Sequence, residues 1–341
     1  MILPTSYTTT LLLLIFSMLC WGSWANTQKA TGKWRFELYY IDYSIGVLVM
    51  AIVLALTLGT MGMELSVEDN LAIAGKRNMS YAFGAGAVFN LANMLLVAAI
   101  TVSGMAIAFP ISIGLALVIG VFWNYVIKPQ GNPALLFSGA ACVLAAILVT
   151  AAAYHFHTEA YRMTLPPATR KKHDSSFKGI MLSVISGFLM GAFYPLVEMS
   201  KETEIGLGAY TVGIFFGSGV FLTTFIYNLY FMNLPVTGES ISPLLYLKGK
   251  PKQHMWGILG GMIWCAGAIA NFAASSAPKQ VNVGPAVSYA IGQGATLISV
   301  LWGLLVWKEF ANANSRTKGL IALMLLLFVT GLSLVAIAPL Y

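Results

Sequence analysis

The run MAIAFPISIGLALVIGVFWNYVI, Met105 to Ile127, contains no charged residue over 23 positions. Coiled as an α-helix it measures about 35 Å at 1.5 Å per residue, close to the ~30 Å of a bilayer's hydrocarbon core. It is apolar on every face, so no side of it can be turned to water. Nine further runs share the character: Thr9 to Gln28, Tyr43 to Gly62, Ser80 to Val102, Ala134 to Tyr154, Phe177 to Met199, Leu207 to Met232, Met255 to Ala277, Val283 to Trp307 and Thr317 to Ile337. The sequence therefore predicts an all-α membrane protein of ten transmembrane helices.

Composition agrees. Of 341 residues 58% are hydrophobic and 9% charged, with 19 Lys and Arg against 12 Asp and Glu. A soluble domain carries roughly 25% charged residues, and a mean hydropathy of +0.79 leaves too little polar surface to cover a water-facing globule. Low charge with 33 Gly and 13 Pro excludes disorder and coiled coil as well. The first run has no basic residue before it, and Trp21, Trp24 and Asn26 stand where a leader would carry small residues for cleavage, so it is read as a retained helix.

Lys and Arg divide unevenly between the two sides of ten spans. Fourteen lie on one side, among them Arg170, Lys171 and Lys172 of the central loop; five lie on the other, namely Lys76, Arg77, Lys128, Lys201 and Lys279. The positive-inside rule makes the richer side cytoplasmic and places both termini outside, in a multi-pass protein of the cell (inner) membrane. The expected organisation is a five-helix repeat over residues 1–154, a short basic cytoplasmic loop over 155–177, and a second five-helix repeat over 178–341. The +7 balance is then a topology anchor beside anionic lipid, and no nucleic-acid partner is implied.

Five spans per half is an odd number, so a duplicated half enters the membrane upside down. SMLCWGSW (Ser17 to Trp24) matches SGFLMGAF (Ser186 to Phe193) in its Ser, its Gly and its final aromatic. Ala92-Asn93 and Ala270-Asn271 lie 178 apart, and Ile113-Gly114 and Ile291-Gly292 share that offset. These matches point to a 5+5 inverted repeat. Pro110 and Pro285 are expected to break the fourth and ninth spans near a mid-membrane site, with a packing kink as the alternative. Gly187/Gly191, Gly213/Gly217 and Gly257/Gly261 have the spacing that lets helices approach closely.

Polar side chains at membrane depth are few and mostly neutral. Trp21, Trp24 and Gln28 fall on one helical face, Asn26 lies between them in the sequence as a further candidate, and Asn90, Asn93, Asn271, Tyr289 and Gln293 lie within later spans. Indoles offer stacking faces, and each amide offers a donor and an acceptor, a combination that suits a flat neutral solute. For any single Asn, a hydrogen bond between helices is the alternative. Glu198 is read as the acid inside an apolar run, either carrying a coupling proton or anchoring the interface in a pair with Lys201. No Arg or Lys stands at mid-depth, which argues against a permanently anionic substrate. Cys20, Cys142 and Cys265 sit in separate runs as small packing residues, and His155, His157 and Glu159 lack a second set of metal ligands. GxxxxGK[ST], HExxH and GxSxG are missing, so neither enzyme chemistry nor a cofactor is expected.

CWGSWANTQK (Cys20 to Lys29), followed by WRFELYYIDY (Trp34 to Tyr43), resembles the ureide permeases. With the bacterial glucose/ribose and rhamnose carriers, these belong to the drug/metabolite transporter superfamily of ten-helix proteins. The runs Ala85 to Ile100 and Gly104 to Leu117 are similar to the third and fourth helices of the group. The resemblance implies proton-coupled uptake of a small neutral solute, such as allantoin and other ureides, uracil-like bases or sugars. Plant members carry a long central loop with a Walker A-like stretch, and Arg162 to Lys178 here is short and has none. The expected activity is therefore alternating-access import of a ureide or nucleobase with H⁺. A sugar or nucleoside importer comes next, then a drug exporter; a passive channel is disfavoured because polar residues cluster at mid-depth.

A cysteine at Ser175, in a background without the native cysteines, should resist an impermeant thiol reagent in intact cells. Ready labelling from outside would reverse the assigned orientation.

Overall fold

In the computed structural model, described for all residues except 33, 63, 104, 165–176, 203, 204, 236–238, 309, 311 and 312, the ten spans are helices. The first consists of α1 (Tyr7–Ser23) and α2 (Ala25–Ala30). Then come α3 (Phe36–Leu56), a short helix α4 (Val67–Ile73) outside the spans, α5 (Lys76–Ser103), α6 (Met105–Ile127) and α7 (Pro133–Thr164). The second half has α8 (Phe177–Lys201), α9 (Ala209–Asn233), α10 (Pro251–Ser275), a ninth span made of α11 (Pro285–Gln293) and α12 (Ala295–Leu305), and α13 (Ser315–Ile337). All ten are long and apolar enough to cross a membrane, and the chain is a multi-pass membrane protein.

Several boundaries move. Helix α3 begins at Phe36 rather than Tyr43, which brings Asp42 into the span, buried and hydrogen-bonded to His254 and Tyr246. Glu198 is thus not the lone acid within a helix, because a paired carboxylate can be carried where an isolated one cannot. Helix α7 continues past Tyr154 to Thr164, so part of the expected 155–177 loop is helical, while Arg170, Lys171 and Lys172 lie outside the described residues. Pro285 does not interrupt the ninth span. It occupies the first turn of α11, where its missing N–H costs nothing, and the interruption falls at Gly294. Pro110 lies inside α6, which continues through it.

Helix packing pairs the two halves. Helix α3 packs on α9 and on α10, α5 on α8 and on α9, α6 on α8, α7 on α13, and α1 on α10 and on the two parts of the ninth span. Close approach is made by glycine, and all six residues of the three small-residue pairs face another helix. At Gly261 a Cβ would lie 1.9 Å from the Tyr43 carbonyl oxygen, so α3 and α10 meet backbone to backbone. Large apolar side chains such as Leu326 and Val329 face outward on α13, where lipid is their solvent.

Gly261→Leu should therefore lower thermal stability in detergent by about 1–3 kcal/mol or more, as overpacking does. Gly84→Ala, where nothing lies within 4 Å, is the control and should leave the melting temperature unchanged or raised.

Candidate functional site

The two broken spans meet. At Trp24 the first span is hitched, with the N–H of Thr27 donating to the Trp24 carbonyl rather than one residue further back. Carbonyls around the hitch find side-chain donors: Ser299 Oγ donates to Gly22 at 3.0 Å, Asn26 Nδ2 to Ser23 at 2.9 Å, and Thr27 Oγ1 to Trp24 at 2.7 Å. Across from it, the Gly294 break separates Gln293 from Ala295. Irregular backbone at membrane depth survives only where protein or a cavity faces it.

A cavity of about 160 Å³ lies between the breaks. Trp21, Trp24, Asn93 and Gln293 all line it, joined by Thr296 and Ser299 from α12. Its wall is an aromatic stack: Trp21 lies on Trp264 with ring centroids 5.8 Å apart and planes 13° apart, and Trp264 lies on Phe89 at 4.2 Å. Trp24 packs on Tyr43 at 5.0 Å. Asn93 donates from Nδ2 to the Tyr40 hydroxyl at 3.1 Å, and neither its Oδ1 nor the Gln293 amide has a hydrogen-bond partner among the described residues. Trp21 Nε1 is buried and also without a partner. The cavity thus offers flat faces and unused neutral donors and acceptors, and among the described residues no charged side chain lines it.

A second pocket of about 160 Å³ shares Ala25, Phe109, Thr296 and Ser299 with it and continues towards Asn26, Lys29 and Tyr154, on the face richer in basic residues. Asn26 lines this outer stretch, its Oδ1 accepting from Trp307 Nε1 at 2.6 Å. Towards the opposite face the way is filled by Phe193, Tyr194 and Tyr289.

Other residues expected at the site stand elsewhere. Asn90 Nδ2 is turned to α9, where Thr223 Oγ1 at 2.8 Å, Thr224 Oγ1 and the Val220 carbonyl accept from it. Asn271 is fully engaged between Tyr194, Ser17 and Ser288, and the Tyr289 hydroxyl donates to the Met190 carbonyl at 3.1 Å. These three hold helices together. Gln28 lies one turn beyond Trp24 and does not line the cavity, and Glu198 is buried at the other end of the bundle in an ion pair with Lys201. Among the described residues no three His, Cys, Asp or Glu side chains group to hold a metal. Sequence reasoning missed Trp264, Phe89, Thr296 and Ser299. Trp264 carried a signal, since tryptophans of membrane proteins favour the interfaces and this one stands mid-span.

The family model for ureide permease matches residues 39–178 and 167–338. The chain belongs to the ureide permease family. Ureide permease 1 of Arabidopsis thaliana is 22% identical over 374 residues, covering 94% of each chain, and ureide permease 3 of the same plant is 24% identical over 80% of this chain and 89% of its own. The probable ureide permease A3 of Vigna unguiculata is 21% identical, covering 82% of this chain and 89% of its own. One protein crystal structure superposes over 97% of this chain and 96% of its own with a TM-score of 0.60 at 18% identity, a likeness of fold. Family membership makes the chain a permease.

Asn90→Ala should lower stability by about 0.6–2 kcal/mol, the usual worth of a hydrogen bond between membrane helices. Gln293→Ala should leave the melting temperature unchanged, since its amide supports no neighbour. An equal loss in both would make Gln293 a packing residue.

Proposed function

We propose that the protein is a secondary active importer of a small, neutral, planar solute of the ureide type, working by alternating access between two five-helix halves and carrying a proton with each solute. The observation that carries the reading is the convergence of Trp21, Trp24, Asn93 and Gln293, from three spans and both halves, on one uncharged cavity. A ureide presents a flat amide face and an edge of alternating N–H and C=O groups. The Trp21–Trp264 stack suits the first, and the unpartnered amides suit the second. The names of the relatives point to the same solute class. Nucleobases share this shape and are the nearest competitors.

The packing pattern supports the inverted repeat. Numbering the spans one to ten, the partners two with eight and three with seven exchange under a shift of five, as do three with six and eight with one. With the basic face cytoplasmic, the cavity opens inward in this conformation. Glu198 then lies on the outer side beside a cavity of about 350 Å³, paired with Lys201. A proton arriving from outside would neutralise it and release Lys201. One proton moved through 100 mV supplies about 2.3 kcal/mol, or roughly fiftyfold accumulation of a neutral solute.

Uptake into proteoliposomes tests this, with allantoin, uracil and a hexose compared. The ureide should accumulate when the outside is acid, and Trp24→Ala or Gln293→Ala should raise its half-saturating concentration by about 5–150-fold, or 1–3 kcal/mol. Glu198→Gln should abolish uphill uptake and its pH dependence while exchange of internal for external solute survives. Accumulation of the hexose alone would overturn the solute class; pH-dependent accumulation by the Gln variant would move the proton to another group.

A further inference from the structure

Tyr194 and Glu198 are four apart on α8, and Asn271 and Ser275 are four apart on α10, so each pair lies one helical turn apart on one face. They join as two rungs. The Tyr194 hydroxyl donates to Asn271 Oδ1 at 2.5 Å, and Ser275 Oγ donates to Glu198 Oε1 at 3.0 Å. Lys201 closes the upper rung, donating to Ser275 Oγ at 2.6 Å and Ser276 Oγ at 3.3 Å while ion-paired with Glu198. Asn271 carries the lower rung inward, its Nδ2 reaching Ser17 Oγ of α1 and the Ser288 carbonyl of α11. All four rung residues are buried.

The helices carrying the rungs are not among the closely packed pairs of the bundle, so side chains rather than backbones occupy the gap between α8 and α10. On the far side of the rungs from the solute cavity lies the cavity of about 350 Å³, lined by Glu198, Lys201, Ser275, Asn70, Lys128 and Asn282, on the face that carries both termini. Two buried polar groups, Ser288 Oγ beside Asn271 and Trp21 Nε1 at the cavity wall, have no hydrogen-bond partner among the described residues. Leaving such groups unpaired is costly, which is expected where another conformation admits water or solute to them.

The repeat sharpens this. The match of Ser17 with Ser186 sets Ala25 against Tyr194, and the offset of 178 sets Asn93 against Asn271. Ala25 has no hydroxyl to bridge with, and Ala25 and Asn93 both line the open cavity. The same slot is bridged and shut in one half, and unbridged and open in the other.

We propose that the slot between α8 and α10 is the solute's path from the termini-bearing face, and that Tyr194 is the positioning residue that holds it shut by its bond to Asn271. The path takes a small neutral polar solute past a mouth formed by Glu198, Lys201 and Ser275. This rests on the alternating-access reading above, but its test needs neither solute nor proton gradient.

The test is Ser288→Cys in the full chain with Cys20, Cys142 and Cys265 replaced by Ala, reacted with an impermeant maleimide added to the termini-bearing face. Adding Tyr194→Phe, which keeps the ring and removes only the hydroxyl, should speed labelling about five- to tenfold, the population shift produced by losing a net hydrogen bond of about 1–1.4 kcal/mol. Labelling from the basic face should not rise. Ser17→Cys provides a second probe should the first variant fold poorly. Unchanged rates at both probes, or equal acceleration from both faces, would overturn the proposal. If uptake of every tested solute failed while labelling opened from one face, the solute assignment would fall and the path would stand.

Discussion

Lipid supplies no hydrogen bonds, and every backbone amide at membrane depth must find its partner inside the protein. That constraint makes the ten spans helices, and it dictates where a helix can be irregular. The first and ninth spans deviate at Trp24 and Gly294, and both deviations face the interior cavity rather than the bilayer. The carbonyls at the first hitch are answered by Ser299, Asn26 and Thr27, and of these Ser299 also forms part of the cavity's polar wall.

A second consequence is that polar side chains within the bundle divide into two populations. Asn90, Asn271 and Tyr289 have spent their donors on carbonyls and hydroxyls of neighbouring helices. Asn93 and Gln293 retain capacity that no neighbour uses. Asn90 Oδ1 is unpartnered too but is buried between helices, so what distinguishes Asn93 and Gln293 is spare capacity at a cavity wall, where we propose the solute binds.

This division was not legible in the sequence. Run length and hydropathy locate a residue in depth along a span, which was enough to find ten helices and to group Trp21, Trp24, Asn93 and Gln293. They do not say which neighbour a side chain turns towards, and so the sequence gives no ground for separating the roles of Asn271 and Asn93. Charge lowers local hydropathy and so sets Asp42 outside the expected span, whereas His254 and Tyr246 across the interface meet its needs within the helix. Proline disrupts helix interiors, so Pro285 in the sequence suggests a break, yet at a first turn it begins a helix. Trp264 is inconspicuous within a glycine-rich run, although it is the plate on which Trp21, Phe89 and Phe216 all stack.

That plate has a spectroscopic side. Three of the chain's eight tryptophans, Trp21, Trp24 and Trp264, border a single cavity, and the first and last are coupled face to face. Their emission reports on one small volume inside a protein that otherwise offers lipid little contrast. A solute entering that volume changes the polarity around all three indoles at once, so the molecule carries its own optical gauge of occupancy, with no label attached.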